Sequence, residues 1–324
     1  MLGRDVSPVE IADIFAAEQR LRKAFPPSPL LNMEFLNQQL GAQVRLKAEN
    51  LLPSGAYKYR GAMNKITSLI ERYGKELRIV TASSGNHGMA CALAARNLGV
   101  QANVVVPVST PQVKKDSNRA LGANLVEVGA TYDESFVSAC ELAEKEHLYY
   151  VHPTSDRYTV GGQGTISLEI LDQCPQVEQI VVPIGGGGLI TGIALTMKTL
   201  KPSVKIYGVM PVGSAVYVES RRQGQLVTLD HCSSMADAVV RKTGEEYLYP
   251  YIEKYVDDIF TVTEDSIRQA VRTACLYGKL TLEGSGALAL AALLEKKCPL
   301  SPGTVLICSG GNIDKAVLDL CMQA

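Results

Sequence analysis

The sequence predicts an α/β fold built on open parallel sheets. Two observations carry that expectation. Short, nearly all-apolar runs recur along the chain, and helix-like runs lie between most of them. Strands of that kind belong to sheets covered on both faces, and the alternation itself marks the α/β class. The length, 324 residues, suits one large or two ordinary domains, and a 46% hydrophobic composition supplies a substantial core.

The elements can be justified in order. Ser7-Pro8-Val9-Glu10 reads as an N-cap, a first-turn proline and a capping-box acid, followed by a helical face of Ile11, Ile14, Phe15 and Leu21. The proline-rich stretch 26–31 breaks that helix, and Gln43 to Lys47 reads as a short strand. Further strands are expected at 78–82, 102–108, 124–128, 148–152, 179–184, 204–210, 258–263 and 303–309. Helices are expected at 86–98, 111–121, 132–146, 163–173, 189–200, 264–277, 285–297 and 312–322. Residues 201–258 are the least regular part, and the chain has neither a 20–50-residue repeat nor a low-complexity tract.

Charge and composition exclude several classes. Lys plus Arg is 32 and Asp plus Glu is 33, with no long run of like charge. A nucleic-acid surface or a membrane-adhering patch needs excess positive charge, so neither partner is expected. No apolar run approaches the ~18 residues of a membrane span. MLGRDVSPVE lacks a basic region followed by an apolar core, so no signal peptide is expected. Eight cysteines, with no C-x-x-C pair, read as reduced thiols of a cytoplasmic protein. The histidines at 87, 147, 152 and 231 have no metal-ligand spacing, so no metal is expected.

Three glycine-rich loops follow strands and precede helices: SSGNHG (83–88), GGGGLITG (185–192) and SGGN (309–312). In an open parallel sheet that edge is where ligands bind. Gly185, Gly186, Gly187 and Gly188 add no side-chain contact but expose backbone N–H groups at a helix start, which favours an anion such as phosphate. The bland alternative is a sharp turn with tight helix–strand packing. Neither G-x-G-x-x-G nor G-x-x-x-x-G-K-[ST] is in register, so a phosphate-bearing cofactor of another kind fits better. In SSGNHG, Ser83 or Ser84 could simply cap the next helix. Capping does not account for Ser-Ser-Gly-Asn-His together, and His87 taken alone reads as a hydrogen-bonded structural imidazole.

The stretch PSGAYKYRGA (53–62) sets Lys58 between Tyr57 and Tyr59. A lone lysine is ordinarily a solvated surface residue. A desolvated lysine amine, however, is neutral more often and condenses with aldehydes. Beside a phosphate loop and two polar glycine turns, the reactive reading is preferred.

AYKYRGA, SSGNHG, HPTSDRYTVGGQGTI, the tetraglycine and CSGGN occur in the order and approximate spacing of the fold type II pyridoxal-phosphate enzymes. The chain resembles their serine/threonine dehydratase and serine racemase group, whose lysine motif ends K-x-R-G-A. The resemblance covers essentially the whole chain. It implies a tryptophan synthase β-like fold of two open parallel-sheet domains, with 1–76 and 154–324 as the large cofactor domain and 77–153 as a small mobile one. Lys58 would anchor pyridoxal 5′-phosphate covalently and later take the Cα proton. Gly185 to Gly188 would offer amides to its phosphate, Asn86 would bond the ring 3′-oxygen, and Ser309 would face the ring nitrogen. Ser83, Ser84, Gly85, Asn86 and His87 would hold the carboxylate of a small amino-acid substrate. The implied activity is release of a 2-oxo acid and ammonia from a β-hydroxy amino acid such as L-threonine or L-serine. The alternatives are a racemase using Lys58 and Ser84 as its two acid/base groups, and a non-catalytic cofactor- or amino-acid-binding protein. A homodimer is the family's assembly.

Departures from the family pattern bear on substrate and cations. Tyr57 stands where phenylalanine is usual, and Thr154-Ser155-Asp156 replaces the family's [FY]-D after His152-Pro153. Met210 replaces a glutamate that binds a cation in several members, and a thioether is a poor ligand for a hard cation. No amino-acid-sensing extension follows Ala324, so feedback control of that kind is not expected.

Overall fold

A computed structural model of the chain describes residues 3–323. Its strands are β1 (Leu30–Leu31), β2 (Val44–Ala48), β3 (Arg78–Ala82), β4 (Gln101–Val106), β5 (Asn124–Glu127), β6 (Tyr149–Tyr150), β7 (Gln179–Pro183), β8 (Lys205–Pro211), β9 (Asp258–Val262) and β10 (Thr304–Cys308). The residues form two compact units: one comprises the chain up to Phe25 with Tyr57–Gln163, the other Pro26–Ala56 with Gly164 onward.

In the first unit the strand order is β5-β4-β3-β6, and every pairing is parallel. The central strands need apolar side chains on both faces, which Ile79, Val80, Val104 and Val105 provide. Val80, Val105, Ala139, Leu148 and Tyr150 pack into its core. In the second unit the order is β1-β2-β10-β7-β8-β9. All its neighbours run parallel except β1, whose Leu30 and Leu31 pair antiparallel with Lys47 and Leu46. The preceding prolines, which cannot continue a ladder, leave β1 only two residues at the sheet's edge. β7 and β10 are buried along their whole length.

The α/β class with parallel sheets therefore stands, and β3 and the helix Asn86–Leu98 carry the expected bounds. Other elements differ for physical reasons. The first helix is Ile11–Leu21, capped by Glu10 rather than Ser7. The Asp13 carboxylate accepts from the Glu10 N–H at 2.8 Å, whereas the Ser7 hydroxyl donates to Asp5 at 2.6 Å. The segment expected to be one helix at 285–297 is a 3₁₀ turn, Ser285–Ala287, followed by Leu288–Leu294. A helix Lys58–Tyr73 was not expected at all, and that at 163–173 begins earlier, at Arg157.

These last two helices touch backbone to backbone. A Cβ on Gly162 would lie 2.7 Å from the Arg60 carbonyl oxygen, and one on Gly61 would lie 2.4 Å from Gln163 Nε2. Close approach, which only glycine permits, thus explains Gly61 of K-x-R-G-A and Gly162 of the second motif. No helix among the described residues is long and apolar enough to cross a membrane.

Candidate active site

In the first unit, β3 lies between β4 and β6, so the loops leaving β3 and β6 emerge side by side at the carboxyl edge of the sheet. The β3 loop carries Ser83, Ser84 and Gly85, and the helix Asn86–Leu98 begins at its end. The β6 loop carries Val151, His152 and Pro153. The two loops are bolted together: Thr81 Oγ1 and His87 Nε2 both lie 2.9 Å from the Val151 carbonyl oxygen. Since a carbonyl only accepts, His87 carries its proton on Nε2. His152 Nδ1 accepts from the backbone N–H groups of Ser155 at 2.9 Å and Thr154 at 3.2 Å, closing the turn around Pro153.

Lys58 is the first residue of the helix Lys58–Tyr73. Its Nζ donates to the Pro153 carbonyl at 2.8 Å and stands 5.1 Å from the centre of the Tyr57 ring. An amine donating one N–H to a carbonyl keeps a defined direction, and the ring covers one side of it. The Lys58 charge also reaches Cys91, though burial pushes that thiol well above its ordinary range. Cys91 Sγ lies 3.5 Å from His87 Nε2. The fold of this unit thus brings Lys58 and the Ser83–His87 loop onto the same short segment, Val151–Pro153.

In the second unit, β10 lies between β2 and β7, and all three run parallel. The loops after β7 and β10 and the turn after β2 therefore share one carboxyl edge. Gly185 to Gly187 follow β7, and Gly188 opens the helix Gly188–Leu200. Gly187, the N-cap, has φ +93°, a conformation that strains any residue with a side chain. A Cβ there would sit 3.0 Å from the Tyr217 hydroxyl. Tyr217 is fully buried, and its hydroxyl donates to the Gly186 carbonyl at 3.0 Å while accepting from the Glu245 N–H at 2.9 Å. Burial pushes its pKa far above the ordinary phenol range, so it stays a neutral bridge. No acidic residue lies in the first turn of this helix. Ser309 follows β10, and its hydroxyl donates to the Ser285 carbonyl at 3.4 Å. Ala56 of the same unit forms an isolated antiparallel bridge with Gly310, the residue after Ser309.

Each unit, taken by itself, carries groups of the kind that a phosphate-bearing aldehyde cofactor needs. The tetraglycine leads into a helix N-terminus with no acidic residue in its first turn, a place where backbone N–H groups favour an anion. Ser309 offers a neutral hydroxyl, and Lys58 offers a primary amine. At the departure Met210, the side chain is fully buried, and no group of three or more His, Cys, Asp or Glu side chains among the described residues could hold a metal ion. Reading the sequence missed Pro153, Val151 and Tyr217. The first two sit in or beside the His152-Pro153 motif, which was the available signal. Tyr217 lies far along the chain with no motif around it.

The relatives agree with this chemistry. An L-threonine ammonia-lyase of Thermotoga maritima is 35% identical over 311 residues, covering 96% of this chain and 77% of its own. A serine racemase of Rattus norvegicus is 38% identical over 324 residues, covering 98% of this chain and 97% of its own. The solved structure of the processed form of threonine deaminase isoform 2 from Solanum lycopersicum has a TM-score of 0.90 at 33% identity, covering 100% of this chain and 91% of that one. The family model described as "Pyridoxal-phosphate dependent enzyme" matches residues 21–310, and this chain belongs to that family.

Proposed function

We propose that this protein is a pyridoxal-phosphate-dependent dehydratase of a β-hydroxy amino acid, such as L-threonine or L-serine, yielding a 2-oxo acid and ammonia. The observation that carries the reading is the amine of Lys58 held on the Pro153 carbonyl, in a chain whose relatives named for threonine ammonia-lyase align over nearly its whole length.

When bound, the cofactor supplies an electron sink for the charge that develops at Cα. The rest falls to the chain. Lys58 would anchor the cofactor through its amine and would also be the base that takes the Cα proton. Gly185 to Gly188 offer their amides to the phosphate. Asn86 would bond the ring oxygen, and Ser309 would face the ring nitrogen as a neutral hydroxyl. Ser83, Ser84, Gly85, Asn86 and His87 hold the substrate carboxylate. The β-hydroxyl leaves as water, its added proton balancing the one lost from Cα, and a second water hydrolyses the unsaturated amine, as its imine, to the 2-oxo acid and ammonia. We place motion of the segment 77–153 in the same proposal, as the part that closes over substrate and excludes water.

A racemase is the second reading, favoured by the rat serine racemase relative. There Ser84 would return a proton to the face of Cα opposite Lys58. Supplying the holoenzyme with L-serine, L-threonine and other β-hydroxy amino acids tests both. No 2-oxo acid from any of them overturns the dehydratase. Ser84→Ala should remove racemisation while leaving elimination, and intact racemisation in that variant overturns the two-group assignment. Cofactor absorbance with no turnover of any amino acid would favour a non-catalytic binding protein. A homodimer and a cytoplasmic location belong to the proposal too, supported by the family resemblance and by eight cysteines that are all unpaired.

A further inference from the structure

Asn118 lies on the helix Gln112–Ala120 of the first unit, outside every motif noted in the sequence, and its side chain is fully buried. Its Nδ2 donates to the Ser84 carbonyl at 3.0 Å and to the Lys114 carbonyl at 2.9 Å. Both partners are acceptors, so the amide orientation is forced: reversed, its oxygen would face two carbonyl oxygens. Its Oδ1 makes no hydrogen bond and faces Gly88, where a Cβ would come within 2.8 Å.

A trans peptide is planar, so its C=O and N–H point in opposite directions. Holding the Ser84 carbonyl toward the helix Gln112–Ala120 therefore turns the Gly85 N–H away from that helix. The preceding peptide is fixed in the same sense. The Ser83 carbonyl oxygen would lie 2.1 Å from a Cβ on Gly88, so it packs into the space only a glycine leaves, and the Ser84 N–H faces the opposite way. One buried amide and one glycine thus set the direction of two successive loop N–H groups.

We propose that Asn118 is a positioning residue for substrate: through the Ser84 carbonyl it aims the Gly85 N–H at the carboxylate of the amino acid. The inference rests on the assignment of Ser83–His87 to that carboxylate. A preorganised N–H donor binds an anion without the cost of reorienting the loop, so its effect falls on substrate affinity more than on the chemical step.

The test uses the holoenzyme with Asn118→Ala and Asn118→Leu, the second keeping the side-chain bulk without its donors. Affinity is read from the cofactor absorbance change on titration with L-serine or L-threonine, and turnover from 2-oxo acid release. Both variants should retain cofactor. Both should raise Kd and KM about tenfold, the scale of one lost hydrogen bond to a charged group, with kcat changed less than about threefold. The matching amino alcohols, which lack the carboxylate, should bind wild type and variants alike. Unchanged affinity for the amino acids, or an equal loss for amino acids and amino alcohols, overturns the assignment of Asn118 while leaving the dehydratase standing. A wild-type holoenzyme that neither binds nor turns over any β-hydroxy amino acid overturns both.

Discussion

The Nζ of Lys58 donates to the carbonyl of Pro153 at 2.8 Å, so a backbone atom takes part in aiming this amine. The turn bearing that carbonyl is itself held by His152 and, through Val151, by Thr81 and His87. Mutation of a neighbouring side chain can shift such an anchor but cannot delete the acceptor.

Replacing the amine is therefore the clean experiment. Lys58→Ala should abolish the visible absorbance of bound cofactor. It should also lower turnover by at least about 10²–10⁴-fold, the share that a positioned proton-transfer group supplies. Lys58→Arg should fail equally, because a guanidinium is neither nucleophile nor base at neutral pH. A variant that keeps both absorbance and turnover removes Lys58 from its role.

Tyr217→Phe should loosen the tetraglycine loop. It deletes the buried hydroxyl that satisfies both the Gly186 carbonyl and the Glu245 N–H. Loss of these two buried hydrogen bonds should cost about 1–3 kcal/mol in denaturant unfolding. Titration of the apoprotein should show weaker retention of pyridoxal phosphate, with Lys58 untouched. Unaltered cofactor affinity would show that Gly185 to Gly188 hold their shape without the phenol.

The strands and the Asn86–Leu98 helix were legible because burial on two faces demands apolar runs of recognisable length. The helix Lys58–Tyr73 was missed, although it is among the longest and its apolar residues recur at helical spacing. Its apolar stripe of Tyr59, Ala62, Met63, Ile66 and Leu69 is blurred by Arg60, Asn64, Lys65 and Ser68, which are buried too, so the buried face is written partly in polar residues. Those side chains are satisfied by partners remote in sequence: Asn64 donates to the Tyr158 carbonyl and Lys65 pairs with Asp156. Among the candidate residues, motifs marked Lys58 and the β3 loop in the first unit and the tetraglycine and Ser309 in the second, because glycines and paired hydroxyls are costly unless used. The residues behind them, Asn118 and Tyr217, act through backbone carbonyls and leave no such mark.

Asp156→Asn should be among the most destabilising single changes in the first unit. Asp156 Oδ2 accepts from Lys65 Nζ at 2.6 Å and from the Asp5 N–H at 2.9 Å. Its Oδ1 accepts from the N–H groups of Tyr158 and Thr159. Both members of the ion pair are almost wholly buried. An amide of the same shape would leave the Lys65 charge without its counterion, a loss of about 3–5 kcal/mol. Urea unfolding checks this. Lys65→Met together with Asp156→Asn should recover part of the loss, since the stranded charge is then gone.

The last prediction concerns alkaline pH. Cys308 ends β10, immediately before Ser309. Burial, and secondarily the charge of Glu49, pushes its thiol from an ordinary 9.0 to about 12. Below pH 9 the thiol is protonated in the folded and unfolded chain alike, and its full contribution to stability is present. Above pH 9 the unfolded chain releases the proton while the folded chain keeps it, so stability is lost as pH rises from 9 toward 12. The slope from this one group is roughly 1.4 kcal/mol per pH unit within that window. Denaturant unfolding of wild type and Cys308→Ala at pH 8, 9.5 and 10.5 isolates it. The variant starts lower, because a buried sulfur has been removed, and its stability should then fall less steeply than that of the wild type. Parallel curves would mean that the strand end opens enough at alkaline pH to ionise the thiol within the folded protein.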